Sequence, residues 1–239
     1  MGSFRKRNQL LVLGIFIFAG LVALGFFVGK GLRMLGAGER TVTVRGLAER
    51  EVLADNIFWP IAYTVSDNDL INLNQKIEQN KRIIVEFLLS HGFSSEEISF
   101  SSPSVIDVQT QLYNTDRNYS FRYLAKGFVR LNTNKLDQVL KASDNSSALL
   151  LKGVVLNSDE YQTSISYDFK GLNEIKPAMI EEANINARKA GEQFAKDSKS
   201  KLGTIKEASQ GLFSIQDANY NTPHIKVVRV VTNVQYYLD

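Results

Sequence analysis

The chain has 239 residues and no cysteine, and its 28 Lys and Arg residues against 25 Asp and Glu give a formal net charge of +3. The lack of cysteine excludes disulfides, thiol catalysis and thiolate metal sites. The first 38 positions hold five of the basic residues and no acidic one, which leaves 23 basic and 25 acidic residues in the remainder. That remainder lacks the basic excess of a nucleic-acid-binding domain, so we expect no nucleic-acid partner.

The N-terminal region contains a long uncharged apolar segment, residues 10–28. As a helix, this segment would extend roughly 28 Å, close to the ~30 Å hydrocarbon core of a lipid bilayer. We therefore predict a short tail (1–9), a transmembrane signal anchor (10–29), a linker (30–40) and one domain (41–239). The predicted anchor side chains are Leu10, Leu13, Ile15, Phe16, Phe18, Leu21, Leu24 and Phe27.

A cleaved secretory signal is the alternative to an anchor. Such signals have an apolar stretch of about 7–15 residues, and the best cleavage candidate here, Gly36-Ala37-Gly38, lies beyond a longer one. Basic residues flank the segment on both sides, so charge alone leaves its orientation open. Gly25 and Gly29 have the small-xxx-small spacing of paired membrane helices, and we take them as candidate self-association residues.

The domain begins with two predicted strands. Residues 41–45 alternate between apolar and polar side chains, and Gly46 predicts a turn or bulge after them. Residues 57–65 predict a longer strand that is largely apolar on both faces. Because Pro60 cannot donate a ladder hydrogen bond, it places this strand at a sheet edge or a bulge. An apolar edge needs a cover such as a second copy, so Trp59 and Pro60 are candidate self-association residues.

The middle of the chain predicts a helix, several extended segments and a short helix. An amphipathic helix is predicted over residues 70–88, between the capping side chains of 66–69 and the helix-ending pair His91-Gly92. The further predictions are an extended segment over 98–108 interrupted by Pro103, a long strand over 119–131, a short helix over 136–140 capped by Thr133-Asn134, and an extended pair over 154–156 and 161–169.

The longest helix is predicted over residues 172–202, with Pro177 in its first turn and Gly203 at its end. Its small residues let it lie close against a sheet or a second copy, so Ala183, Ala187 and Ala190 are candidate self-association residues. Strands near 205–208 and over 227–238 complete the chain. Paired strands between helices favour an α+β fold, a mainly antiparallel sheet with helices packed on it.

The sequence contains no common catalytic motif: no G-x-S-x-G, no phosphate-binding loop and no H-E-x-x-H. The two histidines, His91 and His224, have no second metal ligand nearby in the sequence. The adjacent carboxylates Glu96-Glu97 and Glu181-Glu182 do not face each other on a helix. We therefore expect no catalytic residue, no cofactor and no metal site.

Several short segments, taken in order, resemble the SIMPL domain (DUF541) family over residues 40–239. They are Thr41-Val42-Thr43-Val44-Arg45-Gly46, Ala54-Asp55-Asn56, His91-Gly92-Phe93 with Glu96-Glu97-Ile98, Ala187-Arg188-Lys189-Ala190 with Ala195, and Leu202-Gly203. The chain departs from the family at Ala54, where proline is usual, and lacks the spacer before Lys189. The resemblance implies an α+β domain, usually exported or membrane-anchored in bacteria, with no established catalytic residues. It also implies that some members form rings or cages and that some are linked with stress tolerance.

We therefore expect a non-enzymatic, membrane-anchored domain outside the cytoplasm, on the periplasmic side of the inner membrane in a Gram-negative cell. Its expected partners are the lipid bilayer and further copies of itself in a ring-like or cage-like homo-oligomer linked to envelope stress tolerance. One alternative is a monomeric ligand-binding module with a pocket lined by Tyr119, Phe121 and Tyr123. The other is a hydrolase whose buried polar residues converge only in the fold and have perturbed pKa values.

Overall fold

The computed structural model describes residues 14, 16–30, 39–110, 120–157 and 163–239. The helices are α1 (residues 16–30), α2 (Leu70–Ser90), α3 (Leu136–Asp144), α4 (Ser147–Leu151) and α5 (Leu172–Asp197), with a 3-10 turn at Ser95–Glu97. The strands are β1 (Thr41–Leu53), β2 (Asn56–Asp67), β3 (Ile98–Phe100), β4 (Ser104–Asp107), β5 (Tyr123–Thr133), β6 (Val155–Leu156), β7 (Ser166–Asp168), β8 (Leu202–Gln210), β9 (Ser214–Asp217) and β10 (Ile225–Leu238). Antiparallel pairing and helices packed on the sheets confirm the predicted α+β class.

Contacts divide the chain into two compact units. The first comprises Met1–Arg45, Ala187–Ser209 and Asn233–Asp239, and the second comprises Gly46–Asn186 and Gln210–Thr232. The strands form two sheets, with β1, β10, β8 and β9 in the first sheet and β2 to β7 in the second. Four elements of the chain, β1, α5, β8 and β10, contribute residues to both units.

The second sheet lies in the second unit and has the strand order β3-β5-β2-β6. Its long central pair, β2 and β5, runs antiparallel from Ile57 opposite Thr133 to Asp67 opposite Tyr123. Each edge of this pair carries two short strands instead of one long strand. On β5 these are β3 and β4, separated by a segment that contains Pro103, and on β2 they are β6 and β7. The predicted interruption at Pro103 is therefore confirmed.

The main hydrophobic core lies between one face of the second sheet and the helices α2, α3 and α4. The sheet contributes alternate residues of β2 and β5, as expected for strands with one buried face. The largest fully buried side chains of this core are Ile57, Leu73, Ile84, Leu88, Val129, Leu131, Val139, Leu149 and Val154. Gly127 lies opposite Tyr63, and any side chain at position 127 would overlap the Tyr63 ring.

Helix α2 has the boundaries that its capping residues predict. The Asp69 side chain accepts hydrogen bonds from the N–H groups of Ile71 and Asn72, at 2.8 and 3.0 Å. At the other end His91 is the C-cap, and Gly92 has a φ of 90°, a conformation that favours glycine. Because the residue at position 92 is glycine, the chain turns sharply after this helix at little cost in conformational free energy.

The first sheet has the strand order β1-β10-β8, and β9 also pairs with β10. In the second unit, Ala48, Met179, Ala183, Val228 and Val230 form one apolar cluster. In the first unit, Val42, Ala187, Val234 and Tyr236 form another. The first-unit cluster places the last turns of α5 on the ends of β1 and β10.

Several predicted boundaries are wrong. Strand β1 continues through Gly46 to Leu53, so this glycine marks neither a turn nor the end of the strand. Helix α5 ends at Asp197 rather than near residue 202, because Lys199 leaves the helical conformation with a φ of 55°. Pro177 lies inside α5 rather than in its first turn. The N-cap of α3 is Lys135 rather than Thr133-Asn134.

Candidate functional site

The predicted membrane anchor falls partly on the described residues. Leu10, Leu13 and Ile15 lie outside them, whereas residues 16–30 form the helix α1. Its large apolar side chains are 53–72% exposed, among them Phe16, Phe18, Leu21, Leu24 and Phe27. Gly25 is exposed and Gly29 is partly exposed. Within the described residues, no helix combines the length and the apolar character that a bilayer crossing requires.

Trp59 and Pro60 lie in the central strand β2 of the second sheet, at a stretch where β5 is the one described partner strand. Trp59 is only 7% exposed and belongs to the main core. Pro60 lies opposite Arg130 of β5, and on the other side of β2 it falls between β7, which pairs up to Phe58, and β6, which pairs from Tyr63. The edge strand beside β2 is thus broken at the proline, which agrees with the missing N–H group.

The predicted small-residue stripe of α5 is mostly used within the chain itself. Ala183 and Ala187 are fully buried in the apolar clusters of the second and first units, respectively, whereas Ala190 is exposed. The buried positions recur every four residues, at Met179, Ala183, Ala187, Gly191 and Ala195. Neither Ala183 nor Ala187 therefore offers a surface to a second copy in this conformation.

The outer edges of β1 and β8 are the longest strand edges in the described structure without a partner strand, and the Leu47 carbonyl oxygen of β1 accepts a hydrogen bond from the Asn186 side chain at 2.8 Å. Strand β10 lies between them, and no described strand pairs with the other side of either one. β1 has 13 residues and β8 has 9, and neither contains proline. By contrast, the edge strands of the second sheet have between 2 and 4 residues each. Unpaired edges of this length present rows of N–H and C=O groups that can pair with another chain.

Strand β8 is unusually open to solvent. Its residues 204–210 are all exposed, including Ile205 at 56%. Lys206 Nζ lies 2.5 Å from a carboxylate oxygen of Glu39, and this hydrogen bond raises the pKa of Lys206. Gly203 permits close approach to β10, because a Cβ there would lie 3.1 Å from the Tyr237 carbonyl oxygen.

The hydrogen bonds at the ends of these strands show which residues face outward in the first unit. Lys201 and Asp239 exchange both backbone hydrogen bonds, at 2.9 and 3.0 Å, so the odd-numbered residue Lys201 faces β10. Leu238 N–H donates to the Arg40 carbonyl oxygen at 2.8 Å, so Arg40 also faces β10. Because backbone groups alternate along a strand, the N–H groups of Thr43 and Ala208 point away from β10.

The strongest titration shift in the described residues belongs to a structural network. Burial opposes ionisation of Glu97, but hydrogen bonds outweigh it and lower its pKa to about 2. The donors are the Ser94 N–H at 2.7 Å, the Thr133 hydroxyl at 2.5 Å and Lys135 Nζ at 2.9 Å, with the Ser94 hydroxyl at 3.1 Å. This network joins the 3-10 turn to the end of β5.

A second carboxylate, that of Asp55, accepts backbone hydrogen bonds at the start of α5 in the second unit. Asp55 accepts hydrogen bonds from the Lys170 and Gly171 N–H groups, at 2.7 and 2.8 Å. These groups immediately precede the helix and would otherwise have no partner within it. The Ala54-Asp55-Asn56 segment therefore caps a helix that begins more than a hundred residues later in the chain.

The residues of the two alternative functions do not converge on one described site. Tyr119 lies outside the described residues, while Phe121 is half-buried and Tyr123 packs against the main core. His91 Nδ1 lies 2.8 Å from the Phe87 carbonyl oxygen, and the His224 ring lies 6.0 Å from that of Tyr167. Within the described ranges, no group of three or more His, Asp or Glu side chains is arranged to hold a metal ion.

Antiparallel sheets with helices packed on them define the class of this domain as α+β. The profile of the SIMPL family, described as a protein of unknown function (DUF541), matches residues 42–232. The chain belongs to this family, as its ordered short segments predict. A comparison with curated proteins finds no match.

Proposed function

We propose that this protein is a non-enzymatic domain, tethered to a membrane outside the cytoplasm, whose copies associate into a ring-like or cage-like homo-oligomer. The observation that carries the proposal is the contrast between the two sheets. The second sheet has edges of short strands, with Pro103 in one break and Pro60 of β2 beside the other, whereas β1 and β8 are long, continuous and free of proline. Natural proteins blunt edges that must not pair, and β1 and β8 are not blunted in this way.

Pairing between β1 of one copy and β8 of the next extends the first sheet across a subunit boundary. Such an interface is head-to-tail, because the two surfaces differ and lie on opposite sides of one sheet. Head-to-tail interfaces close into rings when the rotation per subunit allows it. Main-chain hydrogen bonds would supply the affinity of this interface, and exposed side chains such as Ile205 would supply its specificity.

The tether is the apolar segment at residues 10–29. The exposed apolar side chains of α1 need a cover, and the lipid bilayer provides one for all of them at once. Tethering confines copies to a surface and raises their effective concentration, which favours weak repeated contacts. We also propose that the assembled form acts in envelope stress tolerance.

Proline substitutions at outward-facing N–H groups test whether the outer edges of β1 and β8 pair between copies. We expect the full-length chain in detergent to be an oligomer at micromolar concentration by light scattering, and Thr43→Pro and Ala208→Pro each to abolish rings. Each proline removes an intermolecular hydrogen bond and no ladder bond to β10. The matched controls are Thr43→Ser and Ala208→Ser, which retain the N–H group and should still assemble.

Two outcomes would overturn the edge proposal. One is a strict monomer for the unaltered chain at micromolar concentration. The other is an unchanged oligomer for both proline variants, provided that circular dichroism shows them folded.

A further inference from the structure

An open groove of about 750 Å³ lies at the end of α5 in the first unit. Its floor is apolar, with Ala195, Leu202 and Tyr236. Its other lining side chains include one carboxylate, Glu192, and the cationic and hydroxyl groups of α5, the following turn and the start of β8: Arg188, Lys196, Ser200, Lys201 and Thr204. Groups that can hold an anion thus surround a surface that can hold apolar atoms.

Most cations in and next to the groove-lining segments have no acidic partner within the described residues. Arg188 pairs with Glu192 at 3.0 Å, but no ion pair within the described residues involves Lys189, Lys196, Lys199 or Lys201. All four lysines are exposed. Lys199 has a positive φ in the turn after α5 and lies between Lys196 and Lys201 in the sequence.

Charge is divided unequally between the two units. The first unit beyond α1 (residues 39–45, 187–209 and 233–239) has eight basic and five acidic residues. The second unit has 15 basic and 20 acidic residues. An excess of positive charge in the smaller unit of an otherwise acidic domain points to an anionic partner for that unit.

The groove lies at the end of the first sheet where the chain arrives from α1. The hydrogen bonds of Leu238 to Arg40 and of Asp239 to Lys201 align the start of β1, the end of β10 and the start of β8. Nine Cα–Cα steps separate Lys30 of α1 from Glu39. At about 3.6 Å per step, these two residues lie at most roughly 32 Å apart.

We propose that this groove and its lysines dock on the anionic lipid headgroups of the bilayer that holds α1. The lysines and the hydroxyls of Ser200 and Thr204 bind headgroup phosphates, while the apolar floor accepts the adjoining glycerol and acyl carbons. Each Lys or Arg near an anionic surface adds an electrostatic attraction that falls off within a Debye length of about 8 Å. The inference rests on the proposed tether and adds to it a lipid-specific contact that orients the first sheet.

Lysine labelling of the full-length chain in vesicles tests the contact. The vesicles contain phosphatidylcholine alone or phosphatidylcholine mixed with phosphatidylglycerol, and mass spectrometry follows an amine-reactive reagent. We expect labelling of Lys196, Lys199 and Lys201 to slow several-fold in the anionic vesicles and to recover in about 1 M salt, where the Debye length is about 3 Å. The exposed lysines of the second unit, Lys141 and Lys152, should label equally in both vesicles.

A charge-removal variant separates lipid contact from a change in the fold. In Lys196→Gln/Lys199→Gln/Lys201→Gln, we expect amide hydrogen exchange over residues 200–204 to become independent of lipid charge. The matched control Lys141→Gln/Lys152→Gln should keep the wild-type dependence on lipid charge.

The possible outcomes distinguish this contact from the tether. Flotation with both vesicles and equal labelling in both would leave the tether standing and overturn the contact. Flotation with anionic vesicles alone, lost in the triple variant, would support the contact and overturn the tether. Flotation with neither vesicle would overturn both. Equal protection by free inorganic phosphate in zwitterionic vesicles would assign the groove to a soluble anion and overturn the lipid proposal.

Discussion

At the scale of single residues, Glu97 shows how a carboxylate can stabilise the fold without taking part in chemistry. Its folded pKa of about 2 lies below the ordinary 4.5, so its contribution is complete above about pH 4.5 and is lost as the pH falls toward 2. A shift of this size corresponds to a contribution of the order of 3 kcal/mol.

We therefore expect Glu97→Gln to lower the free energy of unfolding near neutral pH, and the gap to the unaltered chain to shrink between about pH 4.5 and pH 2. Urea denaturation across this range measures both quantities. Glu96→Gln is the matched control, since Glu96 is a neighbouring carboxylate for which no such network of donors is found among the described residues. A gap that stays constant with pH would contradict the assignment.

Lys199 offers a second test at this scale. It is the one non-glycine residue in the described ranges with a positive φ, and left-handed backbone costs an L-residue roughly 1–2 kcal/mol. We expect Lys199→Gly to raise the free energy of unfolding by about 0.5–1 kcal/mol, after the entropic cost of glycine in the unfolded chain. Ser198→Gly, at a neighbouring position without positive φ, should not stabilise in thermal or urea unfolding, and equal gains from both would exclude the backbone explanation.

At the scale of elements, helix α5 shows what a local pattern can and cannot predict. The sequence identifies the helix and its small residues, but Ala190 and Gly191 are both small and adjacent. Which of them faces the sheet depends on where Leu202 and Tyr236 lie, and those residues come from later strands. The predicted end of the helix is wrong for a similar reason, because Gly203 is the more typical terminator but the left-handed backbone occurs at Lys199.

The difference between the two faces of α5 can be measured. A Cβ at position 191 would lie 3.2 Å from both Leu202 methyl carbons and 3.4 Å from a Tyr236 ring carbon. We expect Gly191→Val to overpack this contact and lower the free energy of unfolding by about 1–3 kcal/mol. Ala190→Val, on the exposed face, should cost no more than about 0.7 kcal/mol through helix propensity. Similar losses for both variants would show that Gly191 is not at a tight contact.

The strand edges likewise include features that the local sequence predicts and features that depend on distant segments of the chain. Pro103 predicts its own break, whereas Pro60 predicts that β2 lies at a sheet edge or a bulge, and the structure has β2 inside the sheet with the neighbouring edge strand interrupted beside Pro60. The pairing of β10 with both β1 and β8 joins segments from opposite ends of the domain, and no local pattern predicts it. The two edges that carry the proposed function are therefore not among the predicted self-association residues, although β1 begins in a predicted strand and β8 contains another.

At the scale of the whole molecule, head-to-tail assembly makes a prediction that assembly through identical surfaces does not. A copy with Ala208→Pro keeps its β1 edge, and a copy with Thr43→Pro keeps its β8 edge. Mixed in equal amounts, the two variants should form a dimer containing one of each, because one intact interface remains and both outer edges are blocked. Neither variant alone should exceed a monomer in the same detergent.

Native mass spectrometry of the mixture, with one variant isotopically labelled, identifies the composition of the dimer. Mixing either variant with its matched serine control should instead produce linear oligomers whose terminal subunit carries the proline. This result would show that each proline blocks one edge only. If one variant alone forms a dimer and the mixture contains no dimer with one of each, the copies associate through identical surfaces. The pairing of β1 with β8 would then be excluded, because a head-to-tail interface needs two different intact edges.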